Sequence, residues 1–473
     1  MVAELGCAPR VVAPDSGSGS APRQGASTAP APGRAAWRYE VHLAAEGELD
    51  VEASFAATAD PVLAVDEPAS RFVSRVEWAQ QGRFVAAPAQ GPGWRVPCRG
   101  GCLVRYRFAL RTAAEALHDI DLAIASGDAW FAPPSTWLLS PLSAPRGATL
   151  EFHVDAGPKS RFACGFGRAS NGAPDSYVLP AGALDDSSFA GFGGLHVADI
   201  PAGDTSVRLA VAPNDLALSP AQVEAWVSTS ANAVANYYQG HLPARHAFVI
   251  IMKGSGTSTR GETLGGGGPA VLVRAADSLT PTTTRDDWVV THELLHANFP
   301  DLGREHSWLS EGLATYVEPI ARARAGLVDE QKFWRDLIEG LPHGLPEPGD
   351  QGLEHTHTWG RTYWGGALYC LLADVTIRER TGNGHSLDDV IRSIGKTGDV
   401  DDVSWKIGQF LAAGQTATGT TVLRELYDEL AEKPGTVNLS ALFTRLGVVL
   451  QNGALRFDDG APLANIRRAI TAG

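Results

Sequence analysis

The chain has 473 residues, which is too long for one ordinary hydrophobic core, so two or three domains are expected. Hydrophobic residues make up 44% and charged residues 19% of the chain, a composition typical of globular proteins. The formal net charge of -14 argues against nucleic acid or an anionic membrane surface as a partner, because phosphate groups are bound by clustered Lys and Arg. No stretch approaches the roughly 20 apolar residues that span a bilayer.

Residues 1–36 predict a disordered N-terminal tether, because a run rich in Ser, Gly, Ala and Pro cannot bury enough apolar surface to become ordered. Cys7 stands just before this run, and Leu5-Gly6-Cys7 resembles the end of a bacterial lipoprotein signal. The charged and apolar regions of such a signal do not precede it. Either the true start lies upstream, or Cys7 is a chance residue in a disordered arm. We expect an exported protein, periplasmic or tethered to the membrane by a lipid on Cys7.

The five cysteines are too few to form a disulfide framework. Cys98 and Cys102 enclose a short loop that two thiols could close. A small disulfide and two free thiols are both compatible with this spacing, and a metal knuckle is disfavoured because no second Cys or His pair accompanies it. Cys164 and Cys370 are predicted to be small buried residues.

Residues 37–215 predict a β-rich N-terminal domain. Polar and apolar residues alternate with a period of two in segments 37–43, 49–55, 102–108 and 149–154, and Gly, Pro and Asp lie between these segments. Strands with one solvated face, separated by turn residues, are typical of an antiparallel β-sandwich-like domain. No catalytic pattern is present in this part of the chain.

The period changes after Pro220. Residues 221–239 predict an amphipathic helix, and residues 246–252 predict a buried strand. A run of four glycines, 265–268, leads into another strand and indicates a close backbone approach at the edge of a cleft. These features open a second domain over 216–400, and helical spacing continues through a C-terminal helical region, 401–473.

The segment with the clearest chemistry is the HExxH motif formed by His292, Glu293 and His296 on a predicted helix. Residues four apart share one helical face, so both histidines can bind one ion, and Glu293 can take a proton from a water at that ion. Glu311, fifteen residues after His296 on a second predicted amphipathic helix, offers a third ligand. Three protein ligands and one open position are typical of a catalytic zinc site, so we expect one Zn2+ per chain.

Two other residues compete with Glu311 for the role of third ligand. His306 has a spacing that does not match the HExxHxxGxxH pattern, and it lies in a predicted loop. Asp301 is a weaker candidate still. We therefore favour Glu311.

These motifs resemble the gluzincin peptidases, in which a glutamate on the next helix is the third metal ligand. HELLH followed by WLSEGLATYVE is most similar to the M61 (glycyl aminopeptidase-like) family, a relative of the M1 aminopeptidases. Tyr363, followed by Trp-Gly-Gly, stands where those families carry a tyrosine, a variable residue, lysine and glycine. Residues 371–390 also resemble the M61 sequence that follows. The resemblance covers roughly the second half of the chain.

The resemblance implies an α+β fold in which an N-terminal antiparallel β-sandwich-like domain precedes a thermolysin-like mixed or α-helical zinc peptidase domain, completed by residues 401–473. It also implies hydrolysis of a peptide or protein substrate by a metal-activated water, with Glu293 as the base. Tyr363 would donate a hydrogen bond to the oxyanion. The alternative for Tyr363 is a residue that simply packs on a helix.

Three departures from the family pattern bear on activity. The gap between His296 and Glu311 is shorter than in M1 enzymes, and Gly365 replaces the usual lysine. The glutamate that anchors a substrate's free amine is missing from residues 267–271. Aminopeptidase and endopeptidase activity therefore both stay open. The alternative function is a catalytically weak or inactive M61-like protein that binds peptides in a zinc-containing cleft, although the intact Glu293 favours an enzyme.

Overall fold

The computed structural model describes residues 36–472, apart from a few short gaps. These gaps are residue 45, residues 57–61, residue 99, residues 170–174, residue 215, residues 265–268 and residues 398–404. The predicted tether up to residue 35, with Cys7, and the glycine run lie outside the described residues. The chain divides into two compact units, Met1–Leu195 and His196–Gly473.

The first unit is built mainly of short strands. The strands are Trp37–Leu43 (β1), Leu49–Phe55 (β2), Val62–Ala64 (β3), Val73–Gln80 (β4), Arg83–Ala86 (β5), Ala89–Gln90 (β6), Gly93–Arg95 (β7), Cys102–Phe108 (β8), Ile124–Ser126 (β9), Ala129–Ala132 (β10), Ser140–Pro141 (β11), Thr149–Asp155 (β12), Arg161–Cys164 (β13), Gly167–Arg168 (β14), Ser176–Pro180 (β15) and Ala190–Gly193 (β16). Two helices join them, Leu110–Leu117 (α1) and Pro134–Trp137 (α2).

The largest sheet of this unit has the strand order β14-β15-β12-β1-β2-β8-β4-β5 within the described residues. Burial alternates strictly along β1, so the predicted period of two is confirmed there. Most neighbouring strands are antiparallel, but β1 runs parallel to β12, with Trp37 opposite Leu150. The expectation of a purely antiparallel domain is wrong in this respect, because the chain leaves β2 on one side of β1 and, after a long excursion that includes both helices, adds β12 on the other side.

The cysteines of the first unit adopt one of the two arrangements that the spacing favoured. The sulfur atoms of Cys98 and Cys102 are bonded to each other. Cys164 is buried, as is Cys370 in the second unit, which confirms the prediction for both.

The second unit contains a five-stranded mixed sheet in the order β17-β18-β19-β21-β20. These strands are His196–Ala202 (β17), Thr205–Val211 (β18), Phe248–Lys253 (β19), Arg260–Leu264 (β20) and Ala270–Ala275 (β21), and a separate hairpin is formed by Val448–Gln451 (β22) and Ala454–Phe457 (β23). The pairs β18–β19 and β19–β21 are parallel, whereas β20 pairs antiparallel with β21 and forms an edge of the sheet. Because β17 and β18 belong to this sheet, the predicted domain boundary at 215 is moved back to residue 195.

Helices form the rest of the second unit. They are Pro220–Tyr237 (α3), Val289–Ala297 (α4), Ser307–Arg324 (α5), Glu330–Gly340 (α6), Gly366–Arg380 (α7), Leu387–Gly395 (α8), Ile407–Thr418 (α9), Val422–Leu426 (α10), Leu439–Leu446 (α11) and Ala464–Ala472 (α12). The predicted helix after Pro220 is thus confirmed, and it starts with a capping box between Ser219 and Gln222. The C-terminal region is helical as expected but also holds the β22–β23 hairpin. No helix in the described part of the chain is long and apolar enough to cross a membrane.

Helices α4 and α5 occupy the centre of this unit. Helix α4 packs against β20, β21 and α5, while α5 packs against α3 and α7. Both helices bury most of their surface, including Val290 and Leu294 on α4 and Trp308 and Leu309 on α5. Side chains on these two helices are therefore fixed by packing on several sides, which suits a site that needs exact geometry.

Candidate functional site

The HExxH residues lie on α4 as predicted, in a buried position. His292 and Glu293 each retain 1% of their surface exposed. The helix starts just after Asp287, whose Oδ1 accepts a hydrogen bond of 3.0 Å from the backbone N–H of Val289. The ring of Trp288 contacts the ring of His292 edge-on, with centroids 5.3 Å apart. These contacts leave His292 little freedom to rotate.

The structure brings the three predicted metal ligands together. Nε2 of His292 lies 3.2 Å from Nε2 of His296, and each nitrogen lies 3.3 Å from Oε2 of Glu311. Three donors held at about 2.1 Å from a tetrahedral zinc ion stand about 3.4 Å apart, so the observed triangle fits such an ion. Among the described residues, this is the group of His, Cys, Asp or Glu side chains whose arrangement could hold a metal.

The electrostatics of the cluster favour positive charge between these side chains. Burial alone would raise the pKa of Glu311, but the neighbouring His296 and His292 lower it well below its usual value. Burial alone would lower the pKa of His296, but the Glu311 carboxylate raises it to about 9. The protein without metal therefore holds a proton among these donors, in the place where a cation fits.

A buried ion pair on α5 supports the cluster. Arg322 donates a hydrogen bond of 3.0 Å to Glu318, and the two side chains are almost fully buried. Burial raises the pKa of Glu318, whereas Arg322 and, more weakly, His292 lower it. Glu318 thus lies near His292, where a carboxylate can support a metal-binding histidine.

Glu293 is held by strand β20. The Thr263 hydroxyl donates to Oε2 of Glu293 at 2.8 Å and also lies 3.1 Å from the Glu293 backbone oxygen. Gly261, two residues earlier on the same strand face, lies against the Glu293 side chain, and a methyl group there would overlap it. Sequence reasoning missed Thr263, since nothing in the sequence reveals which strand packs on α4.

Two strands border α4, β20 and β21, and Glu293 is contacted by β20. Strand β20 does carry one carboxylate, Glu262, between Gly261 and Thr263. That carboxylate accepts a hydrogen bond of 2.7 Å from Arg274 on β21. Because alternate residues of a strand point to opposite faces, Glu262 lies on the face away from Glu293.

Tyr363 lies in a π-helical turn, Gly360–Gly365, that packs against α5, the helix of Glu311. Its side chain is 4% exposed, and its ring stands 6.3 Å from the ring of Trp359. Gly365 stands where the M61 and M1 families carry a lysine. A Cβ atom at Gly365 would lie 2.6 Å from a side-chain methyl of Leu353, so a larger residue here would require the Leu353 side chain to shift.

His306, the competing third ligand, is engaged elsewhere. Its Nδ1 lies 2.9 Å from both carboxylate oxygens of Glu354, and the two side chains are 12% and 7% exposed. Asp301 accepts a hydrogen bond from the backbone of Gly303 and is also outside the donor cluster. The geometry therefore agrees with the preference for Glu311.

No known family model matches the chain, and no curated protein matches it. Among solved structures, an aminopeptidase N family protein from Idiomarina loihiensis matches with a TM-score of 0.63 at 15% sequence identity, over 88% of this chain and 79% of that chain. An M1 zinc metallopeptidase from Deinococcus radiodurans matches with a TM-score of 0.46 at 18% identity, over 85% of this chain and 94% of that chain. The first match shows that this chain shares its mixed α and β fold with the Idiomarina protein.

Proposed function

We propose that the protein is a zinc-dependent peptidase of the gluzincin type, similar to the M61 family, that hydrolyses peptide bonds. The observation that carries this proposal is the triangle of His292, His296 and Glu311 donors with Glu293 buried beside it. The fold shared with an aminopeptidase N family protein is consistent with it. The three donors are the ligands, and one Zn2+ per chain is the metal that fits them.

Zinc in this site would polarise the scissile carbonyl and lower the pKa of a water molecule. Glu293 accepts the proton of the attacking water and later delivers it to the leaving amine. The Thr263 hydrogen bond restricts the movement of the Glu293 carboxylate. Tyr363 donates its phenolic hydrogen to the oxyanion that develops on the carbonyl.

A peptide substrate is supported by the position of β20. Within the described residues this strand is an edge of the sheet, and an edge strand is where a further strand can be added. The same strand packs on α4 and contacts Glu293 through Gly261 and Thr263. An extended peptide that pairs with this edge would pass beside the catalytic carboxylate.

Arg274 donates a hydrogen bond to Glu262, and this affects whether an exopeptidase or an endopeptidase activity is expected. No carboxylate of β20 is left on the Glu293 face to hold a substrate's amino terminus. This observation favours an endopeptidase or an aminopeptidase with another amine anchor. The same observation is compatible with a second candidate function, that of a catalytically weak or inactive protein that binds peptides in the same cleft.

We further propose that the protein works outside the cytoplasm, in the periplasm or tethered to a membrane by a lipid on Cys7. The bond between Cys98 and Cys102 supports an oxidising compartment, since disulfides persist mainly in exported proteins. Cys7 itself lies outside the described residues.

The experiment that tests the proposal is cleavage profiling of a mixed peptide library by mass spectrometry. The control is Glu293→Gln, which keeps the size of the side chain but removes the base. Stepwise loss of N-terminal residues by the wild type would identify an aminopeptidase, and internal cuts would identify an endopeptidase. If wild type and variant both contain zinc and cleave equally, or do not cleave at all, the peptidase proposal is rejected. The alternative, a protein that binds peptides, would then remain.

A further inference from the structure

A cavity of about 520 Å³ lies in the second unit, next to the turn that carries Tyr363. This volume falls in the range of about 300–1,000 Å³ that is typical of ligand sites. Two stretches of chain line it, one at 342–350 and the other at 356–361. The residues that matter for the argument are Pro342, His343, Glu347, Asp350, Trp359 and Arg361.

Trp359 connects this cavity to the proposed active site. Its side chain is 38% exposed, which is unusual for a large aromatic residue in a folded unit. The centroid of its ring lies 5.8 Å from that of His343, with the ring planes at 62°. The same centroid lies 6.3 Å from that of Tyr363, with the planes tilted by 32°. Trp359 is therefore both a wall of the cavity and a direct neighbour of the tyrosine assigned to the oxyanion.

The charges around the cavity leave a negative balance. Arg361 forms an ion pair of 2.8 Å with Asp350, and these side chains are 6% and 3% exposed, so their charges offset each other. Arg361 also donates to the backbone oxygen of Gly344, which fixes it in the wall. Glu347 is exposed at the cavity and pairs with no basic residue of the described chain. The Glu347 carboxylate would therefore present an uncompensated negative charge to a ligand in the cavity.

We propose that this cavity receives the cationic side chain of an arginine or lysine in the substrate, next to the bond that is cut. The cationic group would lie over the ring of Trp359, which attracts cations, and near the carboxylate of Glu347. A neutral aromatic side chain would use the ring but not the carboxylate, and an acidic side chain would be repelled. The assignment rests on the peptidase function proposed above and adds the substrate class to it.

The test compares two peptides that differ at a single residue, arginine or its neutral analogue citrulline, placed in turn on each side of the scissile bond. We expect the wild type to cleave the arginine peptide with a kcat/KM about 10-fold higher or more at one of these positions, since a cation–π contact with an adjacent carboxylate contributes roughly 1–2 kcal/mol. Trp359→Ala and Glu347→Gln should each bring the arginine-to-citrulline ratio toward 1. Glu46→Gln removes the same charge from an exposed residue of the first unit, so this control variant should keep the wild-type arginine-to-citrulline ratio.

A wild type without preference for arginine would overturn the proposal, as would a preference that survives in both cavity variants. Equilibrium binding of the same peptides to zinc-loaded Glu293→Gln protein separates this proposal from the proposed hydrolysis. If no peptide is cleaved, a binding preference for arginine that disappears in Trp359→Ala still supports the cavity assignment. Equal binding of the two peptides would reject it whatever the outcome for hydrolysis.

Discussion

The backbone of Gly312 lies directly against the backbone of Gly366, so helices α5 and α7 meet there with no side chain between them. Gly312 follows the proposed ligand Glu311, and Gly366 follows the turn that carries Tyr363. A methyl group on Gly312 would overlap the Cα atom of Gly366, and one on Gly366 would overlap the backbone oxygen of Trp308. This contact sets the distance between the helix of the third ligand and the tyrosine-bearing turn.

Gly312→Ala should therefore impair both stability and the metal site. Overpacking of a close contact costs about 1–3 kcal/mol, and relief of the overlap must move α5 or the turn. We expect a lower Tm together with weaker zinc retention, measured by thermal unfolding and by metal analysis after dialysis. The matched control is Gly408→Ala on α9, where a methyl group would meet nothing within 4 Å. An equally small effect at both positions would show that the contact does not constrain the site.

Thr263→Val should lower catalytic turnover without weakening substrate binding. The variant keeps the shape of the side chain but removes the hydroxyl that donates to Glu293. A hydrogen bond to a charged group contributes about 1.5–3 kcal/mol, so we expect kcat to fall roughly 10- to 100-fold with KM little changed. Steady-state kinetics on a peptide substrate measure this split. Thr263→Ser, which restores the hydroxyl, should recover most of kcat, and failure to do so would assign the effect to packing instead.

The sequence predicted the donor cluster because its geometry is mostly local. The spacing of His292 and His296 places both on one face of a single helix, whatever surrounds that helix. Glu311 could be predicted because the next helix is close in the chain and its motif is distinctive. His306 was harder to exclude from sequence, since its partner Glu354 lies in a distant loop.

Features that depend on strand order were not predictable in the same way. Strands β17 and β18 follow the strands of the first unit directly in the chain, before the first long helix, so the sequence assigned them to the first domain. The pairing of β18 with β19, and of β17 with β18, places both strands in the second unit, and the β18–β19 pairing joins segments that are distant in the chain. Thr263 was missed for the same reason, because its role follows from the packing of β20 on α4.

Substitution of Glu311 and of His306 should show which of the two is the third metal ligand. We expect Glu311→Gln to lower zinc affinity by more than the roughly 10- to 100-fold typical of residues that only support a ligand, because it replaces the anionic donor among the three ligands by a neutral amide. His306→Ala should retain full zinc occupancy, since His306 is bonded to Glu354 and lies outside the cluster. Zinc content and competition with a chelator measure both effects. Loss of zinc from His306→Ala with zinc kept by Glu311→Gln would reverse the assignment.

Asp287, at the start of α4, should make stability depend on pH. Burial raises the pKa of Asp287 from 3.8 to about 6, although hydrogen bonds from Val289 and Thr259 partly oppose this. The folded protein thus binds the proton more tightly than the unfolded chain does. The contribution of Asp287 to the free energy of unfolding is therefore fully present below about pH 4 and is lost as the pH rises through about 6. The rise in pKa corresponds to about 3 kcal/mol as an upper value. Asp287→Asn keeps an acceptor for the Val289 N–H without the charge, so its Tm should exceed that of the wild type above pH 6 and approach it near pH 4. A Tm difference that does not change between pH 4 and 8 would contradict the raised pKa of Asp287.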